Sequence, residues 1–154
     1  FKGVIFFGLM ITPNGLKVLE YNARLGDPET QSVFMLLKTD LAEVIDAVID
    51  GTLDRISLAW EEGAAVCVVM ASGGYPQKYE SGKQIEGLDT VDKDVVVFHA
   101  GTRTEDGKFY TSGGRVLGIT AAGKDIPAAR EAAYRNLEKI RFDGAHYRKD
   151  IGIK

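Results

Sequence analysis

The sequence predicts an α+β protein in two modules: a β-hairpin followed by two helices over residues 1–61, then a small β-rich unit closed by one C-terminal helix over residues 62–154. Three observations carry that reading. Two apolar runs flank the turn sequence Thr12-Pro13-Asn14-Gly15, which is the pattern of a hairpin. Residues 41–49 then repeat apolar side chains at helical spacing. From Ala64 onward short β-branched runs alternate with glycine-rich turns until a last helical segment begins near Asp125.

Taken in order, Phe1 to Ile11 reads as a core strand, and Leu16 to Glu20 as the strand that returns beside it. The chain opens directly on that strand without a lead-in, so a longer parent chain is expected. Asp27-Pro28-Glu29 predicts a helix start, with Asp27 at the N-cap, proline at the first position and an acid in the first turn. Val33, Leu36 and Leu37 continue that helix. A second helix is capped by Asp40 and closed by Gly51, and its stripe of Leu41, Val44, Ile45, Val48 and Ile49 is expected in a core. Residues 52–62, with the lone Trp60, form a connection. Strands are then expected over 64–71, 95–100, 108–111 and 115–122, and a helix from an Asp125 cap through Ala129, Ala133, Leu137 and Ile140.

Composition narrows the function classes. The chain has 154 residues, 45% of them hydrophobic, with 19 Lys and Arg against 22 Asp and Glu. That mixed charge supplies no basic field, so no nucleic-acid or membrane partner is expected. No run approaches the roughly 20 apolar residues of a membrane span, and no signal peptide opens the sequence, so a cytoplasmic location is expected. The single cysteine, Cys67, lies within a strand run and reads as a core residue. Lys83 lacks Walker A spacing, Gly113, Gly114 and Gly118 do not form a dinucleotide turn, and no nucleophile elbow is present. His99 and His146 have no ligand spacing around them and read as structural.

One stretch carries candidate chemistry. Strand alternation puts Glu20, Asn22 and Arg24 on one face. The carboxylate and the amide oxygen suit a hard divalent cation, and the arginine suits a phosphate oxygen; a solvated strand face accounts for the same pattern. Phe1 to Ile11 has no acid to add, so any metal site needs further ligands. Gly26 permits close backbone approach, and the N–H groups after Asp27 sit at the positive end of a helix.

Glu20-Tyr21-Asn22 followed by Arg24-Leu25-Gly26-Asp27-Pro28-Glu29-Thr30 closely resembles the signature of the phosphoribosylamine–glycine ligases, ATP-grasp enzymes of purine biosynthesis. The likeness extends through Lys38-Thr39-Asp40-Leu41, Ser72-Gly73-Gly74-Tyr75-Pro76, Gly113-Gly114-Arg115-Val116-Leu117 and Tyr147-Arg148-Lys149-Asp150-Ile151-Gly152. It implies the C-terminal portion of such an enzyme: residues 1–61 as the closing part of the ATP-grasp fold and 62–154 as the family's β-rich C-terminal domain. The implied reaction joins glycine to phosphoribosylamine through a glycyl phosphate, with ATP as the phosphoryl donor.

By the same resemblance, Glu20 and Asn22 are the Mg2+ or Mn2+ ligands, and Arg24 stabilises charge on the transferring phosphoryl group or the acyl phosphate. An ion pair of Arg24 with Asp27 or Glu29 is the alternative. Gly26 and Asp27 are substrate-binding candidates, Asp27 either holding an amino group or only capping the helix. Glu29 serves the helix dipole. Arg115 is a candidate for the ribose phosphate, with a strand-start turn as the alternative. The implied partners are small-molecule substrates and the N-terminal remainder of the same enzyme, without which the chain is expected to be inactive. A non-catalytic binding module, or an ATP-grasp ligase for another carboxylate, are the other readings.

Overall fold

The computed structural model describes residues 1–153 and divides into two compact units. The first comprises Phe1–Thr30 and Leu37–Glu61; the second comprises Gln31–Leu36 and the chain from Glu62.

In the first unit, strands β1 (Phe6–Thr12) and β2 (Gly15–Asn22) form an antiparallel hairpin. The turn is fixed locally. Thr12 Oγ1 donates to the Gly15 carbonyl at 2.8 Å and accepts from the Asn14 N–H at 3.2 Å. Pairing runs Phe6 with Asn22 and Gly8 with Glu20, then shifts so that Leu9 faces Val18, which leaves Leu19 as an extra residue in β2. Helix α1 (Glu29–Leu36) follows, but it begins one residue later than Asp27 capping would require. Pro28 occupies the N-cap position and has no side-chain acceptor, and the first turn is closed instead by the Thr30 N–H on the Gly26 carbonyl at 3.2 Å. Leu37, expected in the helix, is extended and bridges to Trp60.

Helix α2 (Leu41–Asp50) has the ends its sequence specifies: Asp40 accepts from the Ala42 N–H at 2.8 Å, and Gly51 closes the helix in the left-handed region at φ 72°. Its apolar stripe is not a core. Ile45 and Ile49 are 49% and 57% exposed, and Ala47 is the buried position of the helix. The hairpin is similar, with Leu9, Met10, Ile11, Leu16, Val18, Leu19 and Tyr21 all exposed. Periodicity specifies which face of a helix is apolar, whereas burial needs a second layer, and a lone two-stranded sheet cannot supply one.

The second unit has that second layer. Strands β3 (Ala64–Ala71), β8 (Arg115–Gly123) and β5 (Val95–His99) form an antiparallel sheet with β8 central, and helix α3 (Ile126–Leu137) packs on β8 and β3. Val66, Val68, Met70, Ile119, Ala129, Ala133 and Leu137 fill the space between them. Cys67 is buried within β3. A smaller sheet has the order β4 (Gln84–Ile85), β7 (Lys108–Thr111), β6 (Thr102–Glu105). Asp125 caps α3 by accepting from the Ala128 N–H at 2.9 Å. Ile140, expected in the helix, lies beyond its end and is buried there.

A polar pin ties the approach to β5 onto α3. Fully buried Asn136 accepts from the Asp92 N–H at 2.8 Å and donates from Nδ2 to the Asp92 carboxylate and the Ala132 carbonyl. Both Nδ2 hydrogens and the carbonyl oxygen of that amide are engaged. Lys139 adds a 2.6 Å ion pair to Asp92. Bonds from Lys139, Asn136 and Arg135 lower the Asp92 pKa to about 2.

Candidate active site

The candidate chemistry sits where β2 ends and the chain turns into α1. Gly8 lies directly opposite Glu20, and a Cβ on Gly8 would stand 2.9 Å from Glu20 Cγ. The absent side chain lets the glutamate lie across β1. Two residues on, Asn22 Oδ1 accepts from Arg24 Nη2 at 3.1 Å, while Arg24 Nη1 donates to the Leu25 carbonyl at 2.8 Å. Arg24, just beyond the end of β2, is therefore tied to Asn22 rather than to the Asp27 or Glu29 of the alternative reading. Among the described residues, Asn22 Nδ2 is buried without a hydrogen-bond partner. An orphaned amide donor costs about 1–3 kcal/mol, an expense that scaffolding alone does not require.

Gly26 is buried, and a Cβ there would come within 2.7 Å of Glu29 Oε2 and 3.1 Å of the Phe6 ring. The glycine thus admits the Glu29 carboxylate over the turn. Phe6, Gly8, Leu9, Glu20 and Glu29 line one hollow. Among the described residues neither carboxylate takes a hydrogen bond or an ion pair. Asn22 borders a neighbouring hollow with Phe7 and Tyr21. The structure therefore joins Glu20 with Glu29, and Asn22 with Arg24. Glu29 is the residue that sequence reasoning left to the helix dipole; the signal for it was the small residue three positions earlier, which only the folded turn interprets.

These donors suit a hard cation in kind. Glu20 offers carboxylate oxygens, and Asn22 Oδ1 keeps a second lone pair beside the one engaged by Arg24. They do not make a complete site: among the described residues no group of three or more His, Cys, Asp or Glu is arranged to hold a metal ion.

Arg115, the remaining candidate, belongs to the second unit. It is exposed at the start of β8, after the Gly113-Gly114 turn. Among the described residues no helix is long and apolar enough to cross a membrane.

Residues 65–154 match the model of the phosphoribosylglycinamide synthetase C domain. The chain belongs to the phosphoribosylglycinamide synthetase family. Residues 1–30, which hold the hairpin and the polar row, match that family's ATP-grasp (A) domain. The phosphoribosylamine–glycine ligase of Caldanaerobacter subterraneus is 56% identical over 98% of this chain and 36% of its own length. The crystal structure of the phosphoribosylamine–glycine ligase of Thermotoga maritima superposes with a TM-score of 0.81 at 36% identity, covering 95% of this chain and 36% of that one. The biotin carboxylase subunit of pyruvate carboxylase, at 16% identity and a TM-score of 0.61 over 96% of this chain, shares the fold. The chain thus spans a little over a third of the length of the ligases it matches. Its α+β architecture is that of an ATP-grasp ligase family.

Proposed function

We propose that the chain works as the C-terminal part of an ATP-dependent ligase that joins glycine to 5-phosphoribosylamine. A glycine carboxylate oxygen attacks the γ-phosphorus of ATP and ADP leaves; the amine of phosphoribosylamine then attacks the acyl carbon of glycyl phosphate, phosphate leaves and the nitrogen gives up a proton. The products are glycinamide ribonucleotide, ADP and phosphate, a step of purine biosynthesis in the cytosol. Residues 1–61 close the ATP-grasp fold and 62–154 form the C-terminal domain.

The observation that supports this reading is the placing of Glu20 and Asn22 at the end of β2 with Arg24 just beyond it, bonded to Asn22 and running into a turn whose Gly26 is shaped around a carboxylate. Bringing a polyphosphate to a carboxylate requires neutralising several negative charges. Glu20 and Asn22 would hold Mg2+ or Mn2+ together with ligands from the rest of the enzyme, and the cation would offset phosphate charge there. Arg24, held in place by Asn22 and the Leu25 carbonyl, places its guanidinium on the phosphoryl or acyl phosphate oxygens. Gly26 and Asp27 line the substrate side of the turn, and Arg115 takes the ribose phosphate. The exposed apolar hairpin and the α2 stripe fit a unit that the remainder of the same enzyme covers.

The test is Glu20→Ala in the full-length ligase. Metal-dependent ADP release is expected to fall by about 10³-fold, since a metal's charge stabilisation is worth several kcal/mol, with the circular dichroism spectrum unchanged. Activity within a few-fold of wild type would remove Glu20 from the ligand set.

A further inference from the structure

In the second unit three glycine-rich segments meet backbone to backbone. The Ser72 N–H donates to the Gly114 carbonyl at 2.8 Å, and Ser72 Oγ donates to the Gly113 carbonyl at 2.8 Å. Ser72 is only 3% exposed. From the other side, the Gly101 N–H donates to the Arg115 carbonyl at 2.8 Å and the Ser112 N–H to the Gly101 carbonyl at 2.7 Å. No side chain fits inside this knot. A Cβ on Gly101 would stand 2.7 Å from Gly113 Cα, and one on Gly114 would stand 2.1 Å from the Tyr75 ring.

A strand start does not need such a structure. An ordinary turn into β8 is satisfied by backbone bonds alone, yet here a buried hydroxyl, an aromatic ring and three glycines fix the two peptides that precede one exposed cation. The bulge in the β3–β8 pairing falls at the same place, between Met70 and Ala71, where Ala71 faces Arg115. Bulges re-aim a side chain at the end of a strand. A long, flexible side chain loses less freedom on binding when its backbone is already immobile.

We propose that Ser72 and Tyr75 are positioning residues that fix the Gly113-Gly114 turn and so aim the Arg115 guanidinium at the phosphate ester of the sugar-phosphate substrate. This rests on the assignment of Arg115 to the ribose phosphate. Ser72 locks the turn through its hydroxyl, and the Tyr75 ring closes the space over Gly114. Neither residue touches the reacting atoms.

The experiment measures KM and kcat of the full-length ligase with phosphoribosylamine generated in situ, alongside KM for ATP and glycine. Arg115→Ala is expected to raise KM for phosphoribosylamine about 30-fold, the scale of a lost charged hydrogen bond, and Ser72→Ala about tenfold, with kcat and the other KM values within twofold. Because Ser72 acts through Arg115, adding Ser72→Ala to Arg115→Ala should leave KM within about twofold of the Arg115→Ala value. Tyr75→Ala, at a half-buried position, should follow Ser72→Ala in direction, and Tyr75→Phe should retain the wild-type KM. That pair carries the test if Ser72→Ala fails to fold. Arg115→Ala raising KM while both Ser72→Ala and Tyr75→Ala leave it unchanged, or fully multiplicative effects in the double variant, would overturn the positioning role and keep Arg115 as a phosphate contact. A wild-type KM in Arg115→Ala would instead remove the assignment beneath it.

Discussion

The two units solve the same folding problem with unequal means. The second covers a three-stranded sheet with α3 and leaves Val68, Val116 and Ile119 wholly inaccessible to solvent. The first has a hairpin and α2, each with an apolar face open to water. Yet it is the first unit that carries the polar row, and among the described residues an orphaned amide and two carboxylates without partners. The two units thus differ in what holds them: the second has a core of its own, whereas the first carries the polar row and open apolar faces, and its residues 1–30 match the family's ATP-grasp (A) domain.

Core truncations should separate the units most clearly. Leu137→Ala in α3 should cost about 2–5 kcal/mol, because a large side chain leaves a cavity that its neighbours do not fill. Ile49→Ala on the open stripe of α2 should cost less than about 0.5 kcal/mol in the same 154-residue chain. Urea titrations of the two variants check this, and equal losses would break the comparison. The helix caps should come next. Asp40→Ala and Asp125→Ala each remove one N-cap bond, and each should cost about 1 kcal/mol, read from the helical signal and the denaturant midpoint.

The smallest expected effect is the pH dependence of the Asp92 pin. The folded pKa of Asp92, about 2, lies below its ordinary value of 3.8. Its contribution is therefore complete above pH 4 and is lost as pH falls through about 2. Denaturant midpoints measured from pH 5 to pH 2 should show wild type losing an advantage over Asp92→Asn; a constant difference would assign the pin's effect to packing around Asn136 rather than to charge.

How much of this was legible beforehand follows from how local each signal is. The hairpin turn at Thr12–Gly15, the Asp40 and Asp125 caps and the β7 strand depend on a few adjacent residues, and the sequence displays them. Of the polar row, alternation accounts for Glu20 and Asn22, whereas Arg24 lies past the end of β2 in a bend and reaches Asn22 through its long side chain rather than through strand geometry. The start of α1 was misplaced because Pro28 takes the position that Asp27 was expected to hold. Strands β4 and β6 were missed, the one being two residues long and the other the polar, largely exposed Thr-Arg-Thr-Glu, so neither has an apolar period. Glu29 and Ser72 carry no mark in the sequence because their contacts exist only once the chain is folded: a carboxylate over Gly26 in the turn, and a hydroxyl on Gly113 forty-one positions away. Burial of the α2 stripe was overestimated because a pattern names a face without naming what covers it.

In the proposed function the hairpin supplies one wall of an ATP-dependent site that the rest of a longer ligase completes. ADP release with glycine and phosphoribosylamine, measured side by side on the isolated 154-residue chain and on the full-length ligase, tests it most directly. Turnover is expected from the full-length ligase and none above background from the chain alone; turnover by the isolated chain near that of the longer protein would overturn the proposal.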